Sequence, residues 1–81
     1  DSNSVLIDVR SRQEYSEGHL PGSINIPLYE IETQSAKLPK NKQNTIIVYC
    51  ASGYRSRQAK EKLENMGYTN VYSLKNGLDG M

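Results

Sequence analysis

A second cysteine is missing from this sequence, and so are phenylalanine and tryptophan. With one cysteine there is no internal disulfide and no dithiol redox pair within the chain. One histidine beside it rules out a zinc site assembled from Cys and His. No metal and no cofactor are expected. Strong charge of one sign is also lacking: the net charge is +1 at pH 7, which gives no broad basic field and argues against a nucleic-acid partner. No apolar run approaches the roughly 18 residues that a membrane span needs, so no membrane partner is expected. No low-complexity segment is present.

What remains is 81 residues, 36% of them hydrophobic, with six tyrosines as the only aromatics. That length predicts a single domain spanning residues 1–81, acting as a monomer. Such a domain buries only about 60% of the surface its unfolded chain exposes, so its core is thin. The first residue is Asp1, as expected of a chain that has been processed, excised or trimmed. A lone cysteine fits a reducing cytoplasm, although a removed signal peptide would leave no trace.

The order of elements follows from pattern. Val5 to Val9 is a nearly continuous apolar run and predicts a strand buried on both faces, as in a parallel sheet. Ser11 to Gly18 reads as a short helix. Ser23 to Ile26 alternates polar and apolar until Pro27 stops it, which predicts a short strand near an edge. Leu28, Ile31 and Leu38 fall at helical spacing and predict a helix over 28–38. Residues 39–44 form a polar connector. Thr45 to Tyr49 is the strongest strand signal and ends at Cys50. Ser56 to Met66 predicts a helix, with Ala59, Leu63 and Met66 on one stripe and Gly67 as a left-handed cap. Residues 70–74 predict a last strand, and Asn76-Gly77 a turn. Alternating strands and helices predict an α/β sandwich with a mainly parallel central sheet. Arg-Ser-Arg-Gln occurs twice, at 10–13 and 55–58, each time at a strand-to-helix junction. The echo reflects local chemistry, not a structural repeat.

Cys50-Ala51-Ser52-Gly53-Tyr54-Arg55 lies between the strongest strand and the clearest helix. In open α/β sheets, ligands bind beyond the carboxyl ends of strands. Three influences are expected to lower the pKa of the Cys50 thiol. These are free amides at the start of the next helix, the positive end of that helix, and the charge of Arg55. Gly53 lets the backbone turn tightly, and the small side chains of Ala51 and Ser52 leave the loop centre open. Cys50 is therefore predicted to be a nucleophile held in an anion-binding loop. The alternative is a buried cysteine serving as a small hydrophobe.

The loop Cys-Ala-Ser-Gly-Tyr-Arg-Ser resembles the active-site loop of rhodanese-like sulfurtransferases. The resemblance runs along almost the whole chain. Asp8-Val9-Arg10, Glu14-Tyr15 and the run from Gly18 to Pro27 resemble the family's first signature. Val48-Tyr49-Cys50, Gly53 and Arg55-Ser56 resemble its second, and Gly67 to Tyr72 with Gly77 its closing strand and turn. Three departures stand out. The chain starts just ahead of the aspartate strand, where many members carry a further strand and helix, so it resembles the most compact members or a domain cut from a longer protein. Asn76 stands where a glycine is usual, and Met81 where a tryptophan is usual.

The resemblance implies a three-layer sandwich, with a small parallel sheet flanked by helices, and a sulfurtransferase activity. The Cys50 thiolate would attack the outer sulfur of a small anionic donor such as thiosulfate. The resulting persulfide would pass its sulfur to a thiol, cyanide or protein acceptor. Ala51, Ser52, Gly53, Tyr54 and Arg55 would bind substrate, with Arg55 orienting the anion. Asp8, Arg10 and Ser56 would support the loop from behind.

Asp8 is expected to be a structural acceptor that ties Arg10 or loop amides in place, because a carboxylate beside the sulfur would raise the thiol pKa. Arg12 is expected to be solvated or to lie behind the loop. His19 is expected to be structural, since a ready-made thiolate needs no general base. Two other functions compete. Cysteine phosphatases and arsenate reductases use a similar loop with five residues between Cys and Arg, against four here. A regulatory rhodanese-like module would lack the cysteine.

Overall fold

The computed structural model describes residues 4–74. Four parallel strands form one sheet: β1 (Ser4–Asp8), β2 (Ile24–Asn25), β3 (Thr45–Tyr49) and β4 (Val71–Ser73), in the order β2-β1-β3-β4. Two helices accompany them, α1 (Arg12–Glu17) and α2 (Tyr54–Asn65). This is the α/β architecture that the alternating pattern predicts. The expected turn at Asn76-Gly77 and the position of Met81 lie outside the described residues. Among those residues no helix is long and apolar enough to cross a membrane.

The two central strands are the two most apolar runs. β1 and β3 pair over their full length, from Ser4 with Thr45 to Asp8 with Tyr49. Ile7, Val9, Ile46, Val48, Ala59, Leu63 and Val71 are buried together in one core. Helix α2 packs on β3 and β4 through Ala59 and Leu63, the stripe read from spacing. Burying a side chain the size of Leu63 contributes about 1.5–3 kcal/mol, and the Ala59 methyl about 0.8 kcal/mol. Helix α2 ends as the sequence requires. Gly67 adopts φ +102°, the Gly67 amide donates to the Glu64 carbonyl, and the Tyr68 amide donates to the Leu63 carbonyl. These are the paired bonds of a glycine-terminated helix.

Helix α1 has six residues, too few to persist alone. Its start is fixed by reciprocal bonds. The Glu14 amide donates to Ser11 Oγ (3.2 Å), and the Ser11 amide donates to Glu14 Oε1 (3.0 Å). Its end is held by Arg10, whose Nη2 donates to the Gly18 carbonyl at 2.6 Å.

The predicted helix over 28–38 does not form. Two 3-10 turns, Leu28–Glu30 and Ser35–Lys37, take its place, with a turn between them. Ile31 and Thr33 are β-branched, which disfavours a helix; one helical bond survives, from the Gln34 amide to the Glu30 carbonyl, which the Thr33 hydroxyl shares. Ile31 and Leu38 still reach the core, so the apolar spacing was right and the regular helix was not.

Candidate active site

The strand order places the site. The chain leaves β1 toward β2 on one side and leaves β3 toward β4 on the other. Loops at the carboxyl ends of β1 and β3 therefore diverge and leave a crevice between them. Asp8, Val9 and Arg10 form one wall, and Cys50 and its loop form the other.

Cys50 is 0% exposed. Its Sγ accepts hydrogen bonds from the Gly53 amide at 3.1 Å and the Ser56 amide at 3.3 Å. Burial pushes the thiol up. The Ser56 amide and hydroxyl and the Gly53 and Ser52 amides outweigh burial, and the net effect holds it below its ordinary value. Gly53 makes the geometry possible, since it caps α2 with φ +95° and ψ −10°, where a side chain would be strained. Helix α2 starts at Tyr54, two residues earlier than the spacing suggests. The Ser56 amide thus lies in the first turn, free of a helical carbonyl and available to the sulfur. Ser56 was expected behind the loop; it touches the sulfur directly. Its hydroxyl donates to the Gly53 carbonyl (3.1 Å) and lies 2.7 Å from the Ser73 hydroxyl.

Arg55 is placed differently from the expectation. Its Nη1 and Nη2 donate to Glu14 Oε1 and Oε2 at 2.8 and 3.0 Å. The guanidinium is thereby raised further, first by this bond. The carboxyl is held down at about 2, first by Arg55 and then by the Ser11 amide. The lowered thiol rests first on loop hydrogen bonds, and the Arg55 charge, shared with Glu14, interacts favourably with the Cys50 thiolate as well.

Asp8 and Arg10 bond to each other at the carboxyl end of β1. Asp8 is 0% exposed; its Oδ1 accepts from the Arg10 amide at 2.8 Å, and its Oδ2 accepts from Arg10 Nη2 at 2.8 Å. Arg10 is buried by this pairing. Tyr49, next to Cys50, reaches across the same wall. Its hydroxyl accepts from the Leu20 amide at 3.0 Å and lies 3.1 Å from Ser23 Oγ. Burial raises its pKa, with the Ser23 and Leu20 bonds opposing.

The other candidates fall into place around this centre. Ala51 is half-buried, while Ser52 and Tyr54 are exposed. His19 is exposed, bonded through Nδ1 to the Tyr15 carbonyl (2.8 Å) and stacked on the Tyr15 ring, as the structural reading requires. Arg12 is exposed and pairs with Glu30, Nη1 to Oε2 at 2.7 Å. Among the described residues no group of His, Cys, Asp and Glu is arranged to hold a metal. Two contributors were missed. Glu14 was legible as the fourth residue of a Ser-x-x-Glu cap, but its bond to Arg55 was not. Ser73 carried no sequence signal.

Comparison with known proteins agrees with this geometry. The family model "Rhodanese-like domain" matches residues 1–81. Thiosulfate sulfurtransferase PspE of Escherichia coli K12 is 48% identical over 65 residues, which are 80% of this chain. The match spans 62% of that protein's length. A solved "rhodanese with anions from E. coli" superposes with a TM-score of 0.85 at 42% identity, covering 96% of this chain and 91% of that one. A human single-domain sulfurtransferase, TSTD1, superposes with a TM-score of 0.84 at 30% identity, covering 94% of this chain and 78% of that one.

Proposed function

This chain belongs to the rhodanese-like domain family, and from that premise we propose that it moves sulfane sulfur from an anionic donor such as thiosulfate to an acceptor through a persulfide on Cys50. The observation that carries the reading is the pair of amides, Gly53 and Ser56, directed at one cysteine sulfur. Such donors stabilise the thiolate before reaction and the charged outer sulfur after it.

The steps balance without a cofactor. The Cys50 thiolate attacks the outer sulfur of thiosulfate. A new sulfur–sulfur bond forms, the old one breaks, and sulfite leaves with its electron pair. A thiolate or cyanide then attacks the outer sulfur of the persulfide, and Cys50 is released as thiolate. Ala51, Ser52 and Tyr54 line the approach. Arg55 steadies the anionic donor with the share of its charge that Glu14 leaves. Asp8 and Arg10 hold the opposite wall. Residues 1–81 act as one domain and one monomer, and a thiolate that must stay reduced suits the cytoplasm.

A phosphatase reading is less suited to this loop. Four residues separate Cys50 from Arg55, giving a ring that fits a sulfur atom better than a phosphate. The deciding experiment is intact mass after incubation with thiosulfate. A gain of one sulfur atom, reversed by a reductant and absent in Cys50→Ser, is expected. No gain with any sulfane donor overturns the proposal.

A further inference from the structure

A groove opens beside the sulfur-binding loop, lined by Gly53, Arg57, Lys60, Tyr72 and Ser73. It begins at Gly53, the residue whose amide holds the Cys50 sulfur. It then runs along α2, one wall carrying Arg57 and Lys60 and the other the edge of β4. Arg57 is exposed and has no acidic partner among the described residues. Among the described residues Lys60 pairs with Glu64 alone, 3.1 Å away and one turn further from the loop. Tyr72 is 56% exposed and lines the groove. The opposite side of the loop differs, because there the cation Arg55 is matched by Glu14. Among the described residues, the positive charge without an acidic partner next to the reacting sulfur, that of Arg57, therefore lies on the groove side.

We infer that this groove is the acceptor subsite, and that Arg57 and Lys60 select thiols carrying a carboxylate about two residues' length from their sulfur. The inference rests on the persulfide reading above. On a helix, Arg57 lies about 6 Å beyond Gly53 and Lys60 about 10 Å. Two extended residues span about 7 Å. An acceptor whose sulfur meets the persulfide at Gly53 thus lays its carboxylate between the two cations, with its backbone across Tyr72. The acceptor thiolate attacks the outer sulfur of the persulfide, a sulfur–sulfur bond forms to the acceptor, and the bond to Cys50 breaks with its electron pair returning to Sγ. No oxidant or reductant is consumed. A carboxylate in the groove attracts the acceptor to the cations without entering the reaction.

The test separates this inference from the reading it rests on. The protein is loaded with thiosulfate, freed of excess donor, and checked by intact mass. It is then discharged by acetyl-Cys-Gly-Glu-amide, acetyl-Cys-Gly-Gln-amide or acetyl-Cys-Gly-Lys-amide at equal thiolate concentration. The three share one thiol; the Glu and Gln peptides differ only in the distant charge, and the Lys peptide reverses its sign on a longer side chain. The Glu peptide is expected to discharge the persulfide at least fivefold faster than the Gln peptide, with the Lys peptide slowest. Arg57→Glu should reverse that order. For the unaltered protein, raising the salt to about 1 M should bring the three rates within twofold; this arm stands even if the variant fails to fold. Loading that succeeds, followed by equal rates for the three peptides at low salt, overturns the acceptor subsite and leaves sulfur transfer intact. Failure to load overturns both.

Discussion

Glu14 and Arg55 are 41 positions apart and meet side by side, Oε1 to Nη1 and Oε2 to Nη2, at 2.8 and 3.0 Å. The bond ties the short helix α1 to the first turn of α2, and so ties the two loops that frame the crevice. It also shares the arginine's charge between a structural partner and any donor.

Two substitutions at this pair should act in opposite directions. Arg55→Ala is expected to raise the KM for thiosulfate several-fold, with a smaller effect on cyanide as acceptor. Glu14→Gln should lower the KM for thiosulfate, because the guanidinium is released toward the crevice. Steady-state kinetics with donor and acceptor varied separately decide it. An unchanged KM in Arg55→Ala would show that the loop amides bind the donor alone.

The same pair sets part of the acid stability. Glu14 is held at about 2 in the folded protein, against 4.5 for the free group. A depressed folded pKa stabilises the fold above the unfolded value, and that stabilisation is lost as pH falls toward the folded value. Both side chains are about a third exposed, so after solvent screening the contribution is about 1 kcal/mol. Urea unfolding should show the protein about 1 kcal/mol more stable than Glu14→Gln at pH 6. The difference should shrink between pH 4.5 and pH 2.

Cys50→Ser should lower thiosulfate:cyanide sulfur transfer at least a thousandfold while the circular dichroism spectrum stays the same. The substitution removes the nucleophile and keeps a small side chain able to accept from the Gly53 and Ser56 amides. Turnover near the unaltered rate would exclude Cys50 as the sulfur carrier.

Ser56→Ala should push the Cys50 thiol up, because the hydroxyl is one of the groups that hold it down. Alkylation by iodoacetamide, followed against pH, should show a midpoint higher than in the unaltered protein. At neutral pH the rate should drop several-fold. Ser73→Ala should move the midpoint the same way by less, since Ser73 acts through the Ser56 hydroxyl.

Asp8→Ala should destabilise the fold by about 3–5 kcal/mol, because it leaves the Arg10 guanidinium buried without its partner. A chain of this length has a total stability of about 4–12 kcal/mol, so the variant should be largely unfolded by mild heat or urea. Asp8→Asn keeps an acceptor for the Arg10 amide and should cost less. Equal stability of Asp8→Ala and the unaltered protein would contradict the buried-pair account.

What the sequence disclosed was local or periodic. The apolar runs at Val5–Val9 and Thr45–Tyr49, the stripe of Ala59 and Leu63, and the glycine stop at Gly67 each follow from neighbours a few residues away. The same holds for the loop from Cys50 to Arg55, whose cysteine, glycine and helix start are contiguous. Contacts between distant segments were not legible. Glu14 on Arg55, Ser73 on Ser56 and Tyr49 on Leu20 depend on how β1, β3 and β4 lie beside one another, which no short window encodes. The failed helix over 28–38 marks the opposite limit. Leu28, Ile31 and Leu38 recorded burial correctly, but burial at helical spacing does not require helical hydrogen bonds.

Every group that holds the Cys50 sulfur comes after it in the chain: Ser52, Gly53 and Ser56, with Ser73 behind Ser56. During synthesis from the amino end, the cysteine therefore leaves the ribosome as an ordinary thiol. The hydrogen bonds that lower its pKa form with the first turn of α2. The nucleophile is thus completed by residues made after it, and a chain ending at Cys50 carries the cysteine without the amides that hold its sulfur.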